Sequence, residues 1–320
     1  MVLVTGGTGF LGSELINQLL LKGFSVRALK RENSVIPELI KGKEIEWFTA
    51  DVVDYFSLES AWEGIESVYH CAAYISFDSK DKKKLMQVNT QGTSHVVNLC
   101  LEKNVRLLHV SSVAAIGDGK PGVLITEKDQ WEFNGTQSAY SISKYTSEME
   151  VFRGMAEGLN ALIVNPSVII GKNAGYSGSG ALFKAVKNGL KYYPTGSCGL
   201  VDVEDVVNSM IQLMQSENIN QRYIINAENW PYQDLFTTIS KYLSLVPPTL
   251  ILKMWMLQFL ILKSKVQKYI SSKKPTLTND IAKSAFKRKS YSNAKISMTI
   301  NIKFKPVEQS ISEICAALSF

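Results

Sequence analysis

The sequence predicts an α/β fold in which a doubly wound parallel sheet is followed by a smaller, mostly helical C-terminal lobe. Short apolar runs alternate with amphipathic stretches through the first half of the chain. A glycine-rich turn follows the first of these runs, and after Pro166 a loop rich in Gly, Ser and Asn precedes mainly helical patterns. Alternation of strands and helices predicts parallel strands with helices on both faces of the sheet.

Each element is predicted from its periodicity. Strands are expected at 2–5, 25–29, 44–49, 67–71, 106–111 and 160–165. Helices are expected at 10–22, 84–102, 139–157, 181–188, 204–215, 232–243 and 306–318. Residues 250–262 form the most apolar stretch, which is too short for the roughly 20 residues of a membrane span. We predict a buried or interface helix there, with attachment to a membrane surface as the alternative.

Composition limits the class of protein. The 320 residues are 45% hydrophobic and 20% charged, which predicts a folded globular protein. The net charge of +6 is spread too evenly to indicate nucleic-acid binding. Four cysteines without a CxxC pair indicate a reducing compartment, and three histidines without ligand spacing predict no metal site. The first strand begins at once, without a signal peptide, so we expect a cytoplasmic protein.

The glycine-rich turn predicts a dinucleotide site. Gly6, Gly9 and Gly12 have G-x-x-G-x-x-G spacing between the first strand and the first helix. Glycine permits close approach of the backbone to a pyrophosphate, which the helix N-terminus attracts. The residues expected to contact the cofactor in this turn are Gly6, Thr8, Gly9, Phe10, Leu11 and Gly12. This predicts an NAD(P)-binding Rossmann domain over 1–171, to which some later segments return, and a substrate-binding lobe over 172–320. A tight turn without a ligand is the alternative.

The end of the second strand bears on the choice between NAD and NADP. An acidic residue there would bind the ribose hydroxyl of NAD, but Lys30 stands at this position and Arg31 follows it. A guanidinium can bind a 2′-phosphate through two hydrogen bonds. Arg31 therefore favours NADP, with NAD open if both charges are ordinary surface residues.

Tyr140 and Lys144 are four residues apart at the start of a predicted helix, so they lie on one face, one turn apart. A nearby ammonium and a cationic nicotinamide would lower the pKa of the phenol, which could then exchange a proton with a substrate oxygen. Ser112 follows the strand at 106–111 and could bind the same oxygen. The prediction is a catalytic set of Ser112, Tyr140 and Lys144.

These motifs, in this order, resemble the extended branch of the short-chain dehydrogenase/reductase superfamily, which includes NAD(P)-dependent epimerases and dehydratases and dihydroflavonol-reductase-like enzymes. The resemblance implies further cofactor contacts from Asp51, Val52, Ala72, Ala73, Asn89, Ser111, Pro166 and Val168, besides Tyr140 and Lys144. It also implies a homodimer formed by the helices that carry Asn89 and Tyr140. Asn165 stands where the family often has Arg, and Lys172 where Pro is usual.

The expected function is hydride transfer between NADP(H) and a small carbonyl or alcohol, with Tyr140 as general acid/base. Candidate substrate-lining aromatics are Tyr74, Phe77, Trp131, Tyr176, Tyr192 and Tyr193, which suit an apolar or aromatic substrate. The alternatives are a nucleotide-sugar epimerase with tightly held NAD and a non-catalytic cofactor sensor. Few arginines follow Arg153, and Arg222 lies in a predicted strand, which argues against a sugar-diphosphate site.

Overall fold

The structure is a computed structural model that describes residues 1–120, 122–176, 178–257 and 284–318. The strands are β1 (Val2–Thr5), β2 (Val26–Lys30), β3 (Glu46–Thr49), β4 (Ser67–His70), β5 (Arg106–Val110), β6 (Ala161–Pro166), β7 (Val168–Ile170), β8 (Tyr192–Tyr193), β9 (Ser197–Asp202), β10 (Gln221–Ile225), β11 (Glu228–Pro231) and β12 (Leu250–Ile251). The α-helices are α1 (Phe10–Leu21), α2 (Tyr55–Glu59), α3 (Lys82–Leu85), α4 (Gly92–Glu102), α5 (Ala139–Ala156), α6 (Gly180–Lys187), α7 (Val203–Gln215), α8 (Tyr232–Tyr242), α9 (Ala294–Thr299) and α10 (Val307–Leu318). A π-helical stretch, Met86–Gln91, joins α3 to α4.

Seven parallel strands form the central sheet in the order β10-β6-β5-β4-β1-β2-β3. The chain first builds outward from β1 to β3 and then returns to build the other side from β4, so the order reverses between β1 and β4. Ligands bind at such a reversal, outside the carboxyl ends of the strands. The predicted doubly wound α/β fold is confirmed.

Apolar side chains cover both faces of this sheet. On one face Leu15 and Leu19 of α1 pack with Val206 of α7. On the other, Val97 of α4 packs with Val151 of α5. Burial of these faces is the main stabilisation of the sheet, because each square ångström of apolar surface removed from water contributes about 25 cal/mol.

The later part of the chain contributes to both layers of the molecule. β10 joins the central sheet beside β6, and α7 packs on α1. A second core, which includes Phe183, Leu200, Leu235 and Ile311, lies among α6, α8, α10 and a three-stranded sheet of β7, β9 and β11. This small sheet was not predicted, although the mainly helical character of the region was. The division between 1–171 and 172–320 stays a prediction.

The predicted helix over 250–262 is wrong at its start. Leu250–Ile251 is a strand that pairs in parallel with β8, and Leu250 and Leu252 donate their N–H groups to Lys191 and Tyr193 carbonyls. Helical backbone begins at residue 254, and residues 258–262 lie outside the described residues. The two prolines before this stretch hold the chain extended, and the open edge of β8 then provides its hydrogen-bond partners.

Candidate active site

The glycine turn closes against the end of β4. Gly6 has a φ of +69°, which favours glycine, and its carbonyl accepts a 2.9 Å hydrogen bond from Gly9 N–H. A Cβ on Gly12 would lie 2.2 Å from the Gly6 oxygen, and one on Gly6 would lie 2.7 Å from Ala72 N. α1 begins next to Gly9, which has no side chain to cap it. Thr8, Phe10 and Leu11 are half-buried at this helix end. The first-turn N–H groups can therefore meet an anion.

A cavity of about 590 Å³ lies at the carboxyl ends of β2 and β3. It is lined by Arg31, Glu32, Asn33, Ser34, Thr49, Ala50, Asp51, Asp54 and Ser57. Arg31 and Asp51, two of the predicted cofactor residues, thus share one cavity. Val52, the next residue, is buried against Gly92, where a Cβ would lie 2.8 Å from its Cγ2. The volume and polar lining fit the adenosine end of a dinucleotide.

A buried hydrogen-bond chain connects the glycine turn to the π-helical stretch. Ala72 N–H donates to Thr5 Oγ1 over 3.1 Å, and Thr5 Oγ1 lies 2.7 Å from His70 Nδ1. His70 Nε2 lies 3.0 Å from Thr93 Oγ1, which donates to the Asn89 carbonyl. Burial lowers the pKa of His70 to about 3, so the ring is neutral. Because Thr5 accepts from Ala72 and Thr93 donates to Asn89, one tautomer satisfies the whole chain, with the proton on Nε2.

Asn89 holds the loop after β4 in place. Its Oδ1 accepts from Tyr74 N–H over 2.7 Å, and its Nδ2 donates to the Tyr74 carbonyl and to Ser143 Oγ, both over 2.9 Å. Both amide N–H groups therefore have protein partners. These contacts join the loop after β4 to α5 through Tyr74 and Ser143, and the predicted contact of Asn89 with the cofactor stays a prediction.

Ser112, Tyr140 and Lys144 meet at the carboxyl end of β5. The Ser112 side chain lies close enough to the Tyr140 phenol to lower its pKa, and Ser112 Oγ accepts from Ala114 N–H over 3.2 Å. Lys144 is 2% exposed, and its Nζ donates to the Val110 carbonyl over 2.8 Å. Ser138 caps α5 by accepting from Ser141 N–H over 3.0 Å, which sets where the helix begins.

Burial dominates the electrostatics of these groups. It lowers the pKa of Lys144 to about 8, although the charge of Glu148 raises it. It also raises the pKa of Tyr140, against the opposite effect of the Ser112 side chain. In the protein alone, burial of the phenolate outweighs the effect of its neighbours on the pKa of Tyr140. The predicted lowering of this pKa by an ammonium together with a cationic nicotinamide stays a prediction.

The predicted nicotinamide-side residues lie at the ends of β5 and β6. Ser111 is 5% exposed, and its Oγ is buried without a hydrogen-bond partner in the described part of the chain. Buried hydroxyls are normally paired, so this atom fits a ligand group. Pro166 ends β6 and Val168 begins β7, while Ala73 is exposed beyond β4. A Cβ on Gly171 would lie 3.1 Å from the Phe10 ring, so this loop closes onto the start of α1.

Among the predicted substrate-lining aromatics, Phe77 lies against the catalytic set. Its ring centroid is 5.6 Å from that of Tyr140, and Trp131 stacks on Tyr145 of the same helix at 4.7 Å. The Tyr74 hydroxyl donates to Asp81 over 2.9 Å. Tyr176 is exposed beside Lys184 and Lys187, Tyr193 is in the second core, and Tyr192 pairs with β12. Phe77 and Trp131 therefore remain the best-placed candidates.

Sequence reasoning missed a buried carboxylate in this region. Glu148 lies on α5 one turn beyond Lys144 and binds Arg222 and Asn165. Arg222 is in a strand, as predicted, and its guanidinium is engaged by Glu148. The spacing of Tyr140, Lys144 and Glu148 by four residues was the available signal.

The structure has a Rossmann-type fold that brings Ser112, Tyr140 and Lys144 together at the carboxyl end of β5. The model of the NAD dependent epimerase/dehydratase family matches residues 2–227, and the chain belongs to this enzyme family. It is similar to sterol demethylase protein B of Methylococcus capsulatus, with 31% identity over 71% of this chain and 70% of the relative. It is also similar to cinnamoyl-CoA reductase 1 of Petunia hybrida, with 25% identity over 99% of this chain and 92% of the relative.

Among solved structures, the crystal structure of gox2253 has a TM-score of 0.85 and 26% identity to this chain, and the match covers 100% of this chain and 98% of that one. In the described residues, no helix combines the length and apolar character needed to span a bilayer. The homodimer implied by the resemblance stays a prediction.

Proposed function

We propose that this protein is an NADP-dependent oxidoreductase that transfers a hydride between NADP(H) and a small carbonyl or alcohol. The observation that carries this proposal is the convergence of Ser112, Tyr140 and the buried amine of Lys144 at the carboxyl end of β5. A phenol, a hydroxyl and an ammonium at one point are suited to exchange a proton with a substrate oxygen.

The dinucleotide would be held by the glycine turn, by the cavity near β2 and β3, and by the segment after β5. Its pyrophosphate would meet the N–H groups at the start of α1, and Ser111 would bind toward the nicotinamide side. Arg31 would pair with the 2′-phosphate, and Asp51 would meet the adenine amino group. When bound, the cofactor supplies or accepts the hydride.

Tyr140 would supply the proton during carbonyl reduction. Because burial raises its pKa, the phenol is protonated at neutral pH and can donate to a developing alkoxide. The Ser112 hydroxyl would bind the same oxygen. The Lys144 ammonium would favour the phenolate that remains after proton transfer, and its bond to Val110 keeps it beside Tyr140.

The substrate would be apolar or aromatic near its reacting carbonyl. The Phe77 ring lies against Tyr140, and Trp131 stacks on Tyr145, which follows Lys144 on the helix that carries Tyr140. Two relatives are named for a sterol and for cinnamoyl-CoA, which supports an apolar group beside the reacting carbonyl.

The test is a fluorescence titration with NADPH and NADH, followed by absorbance assays with aromatic aldehydes, sterol ketones and UDP-sugars. We expect tighter binding of NADPH and its oxidation by an apolar carbonyl compound. Cofactor retained through purification, with UDP-sugar interconversion and no net oxidation, would instead indicate the epimerase. Binding without any turnover would indicate the sensor.

A further inference from the structure

Glu148 is a buried carboxylate on the face of α5 that carries Tyr140 and Lys144. Its side chain has 0% exposure. Residues four apart on a helix are neighbours, so Glu148 follows Lys144 as Lys144 follows Tyr140. A buried charge is costly unless it is paired and hydrogen-bonded. The groups that pair with Glu148 therefore indicate its role.

Both carboxylate oxygens are bound from neighbouring strands of the central sheet. Arg222 Nη1 lies 3.1 Å from Glu148 Oε2, and Asn165 Nδ2 donates to Oε1 over 2.5 Å. Arg222 is on β10 and Asn165 is on β6, which pair in parallel. Arg222 also donates to the Glu127 carbonyl over 2.6 Å. The carboxylate thus ties α5 to the two strands at this side of the sheet.

Asn165 extends this connection to the catalytic segment. Its Nδ2 also donates to the Ser112 carbonyl over 2.9 Å. The same amide group therefore touches the carboxylate of Glu148 and the backbone of Ser112, whose side chain lowers the pKa of Tyr140. We propose that Glu148 is a positioning residue for the reaction, acting by its charge on Lys144 and through Asn165 on the backbone of Ser112. This inference rests on the proposed function.

The charge effect has a defined direction. The titratable groups of the described chain that face Lys144 are His70 and Cys71 at the end of β4, His109 on β5, and Tyr140 and Glu148 on α5. Burial lowers the pKa of both histidines and raises that of Cys71 to about 12, so these three are neutral at pH 7. Glu148 is the group in this set whose negative charge opposes the effect of burial on Lys144.

The test compares Glu148→Gln with Glu148→Asp and with a control, Glu150→Gln, which lies on the same helix and pairs with Arg153 at the surface. In Glu148→Gln we expect kcat for NADPH oxidation to fall about tenfold or more. In the pH profile of kcat, the apparent pKa of the high-pH limb should fall by about one unit. The Glu148→Asp variant keeps the charge, so its apparent pKa should return to the wild-type value. The Glu150→Gln variant should match the wild type.

Two further measurements separate the parts of the proposal. Asn165→Ala should lower kcat without changing the apparent pKa of the high-pH limb, because it removes the bridge to Ser112 and keeps the charge of Glu148. The titration of Lys144, followed by NMR with isotope-labelled lysine and assigned with Lys144→Arg, should have a lower midpoint in Glu148→Gln. This titration needs no turnover, so it tests the inference even if the wild type reduces no carbonyl. Unchanged Lys144 midpoints in Glu148→Gln, or equal shifts in Glu148→Gln and Glu148→Asp, would overturn the proposal.

Discussion

The buried amine of Lys144 donates a 2.8 Å hydrogen bond to the carbonyl of Val110, the last residue of β5. This bond joins α5 to the end of a central strand two residues before Ser112. The bond therefore holds the helix face that carries Tyr140 against the end of β5. Single-atom changes at Tyr140 should therefore leave the geometry of the site intact.

Tyr140→Phe tests the role of the phenol. The variant lacks the proton donor but keeps the ring that contacts Phe77. We expect kcat to fall by about 10²–10⁴-fold, with the dissociation constant for NADPH within about twofold of the wild type. Stopped-flow oxidation and fluorescence titration measure the two quantities. Tyr55→Phe, whose hydroxyl donates to Glu102 away from this site, is the control, and equal losses in both variants would contradict the assignment.

Arg31→Ala tests the preference for NADP. Arg31 is exposed in the cavity that also holds Asp51, where it can reach a 2′-phosphate. Loss of a charge-assisted hydrogen bond costs about 1.5–3 kcal/mol, so NADPH affinity should fall roughly ten- to a hundredfold. NADH affinity should hardly change. Calorimetric titration checks this, with Lys41→Ala, whose side chain is 64% exposed, as a control of equal charge. Equal losses for both cofactors would remove the basis for NADP.

Substitutions at two glycines of the turn should separate effects on stability from effects on cofactor binding. A Cβ on Gly12 would lie 2.2 Å from the Gly6 oxygen, so Gly12→Ala should destabilise the fold by about 3 kcal/mol. A Cβ on Gly9 would lie 3.2 Å from the same oxygen, so Gly9→Ala should cost about 1 kcal/mol or less.

The exposed Gly9 is where a pyrophosphate would approach. Gly9→Ala should therefore weaken NADPH binding about tenfold, or roughly 1.4 kcal/mol. Urea unfolding and cofactor titration measure the two effects. A Gly12→Ala protein as stable as the wild type would contradict the close packing of the turn.

Stability should fall on mild acidification because of two buried histidines. The folded-state pKa of His70 is about 3, against 6.5 when unfolded, and that of His109 is also lowered well below 6.5. The unfolded chain binds more protons below pH 6.5. The stabilisation is therefore complete above that pH and is lost toward the folded-state pKa, at about 1.4 kcal/mol per pH unit for each histidine.

Urea unfolding at about pH 7 and about pH 5 measures this effect. His70→Gln can keep hydrogen bonds to Thr5 and Thr93 but does not titrate, so its free energy of unfolding should fall less on acidification. His95→Gln, at a half-buried position of α4, is the comparison variant. An identical pH dependence in the wild type and in His70→Gln would contradict the neutral, buried state of His70.

Local spacing was sufficient to predict much of the fold and of the site. Glycine spacing between a strand and a helix indicates a phosphate-binding turn, because the constraint acts within seven residues. The four-residue spacing of Tyr140 and Lys144 defines a shared helix face by periodicity alone. Strand and helix periodicity likewise predicted the doubly wound sheet, and the ends of α5 differ from the prediction by one residue at most.

Contacts between distant residues were decided by the tertiary structure. Glu148 and Arg222 are 74 positions apart, and their pairing depends on β10 joining the sheet beside β6. The strand at Leu250–Ile251 depends on a free edge of β8, which no local pattern shows. The raised pKa of Tyr140 could not be predicted from the sequence either. Residue spacing shows which charges are near, but burial sets how strongly the phenolate is disfavoured. The sequence alone thus determined the chemical groups and their local order, while the packing of remote strands determined their partners and their protonation.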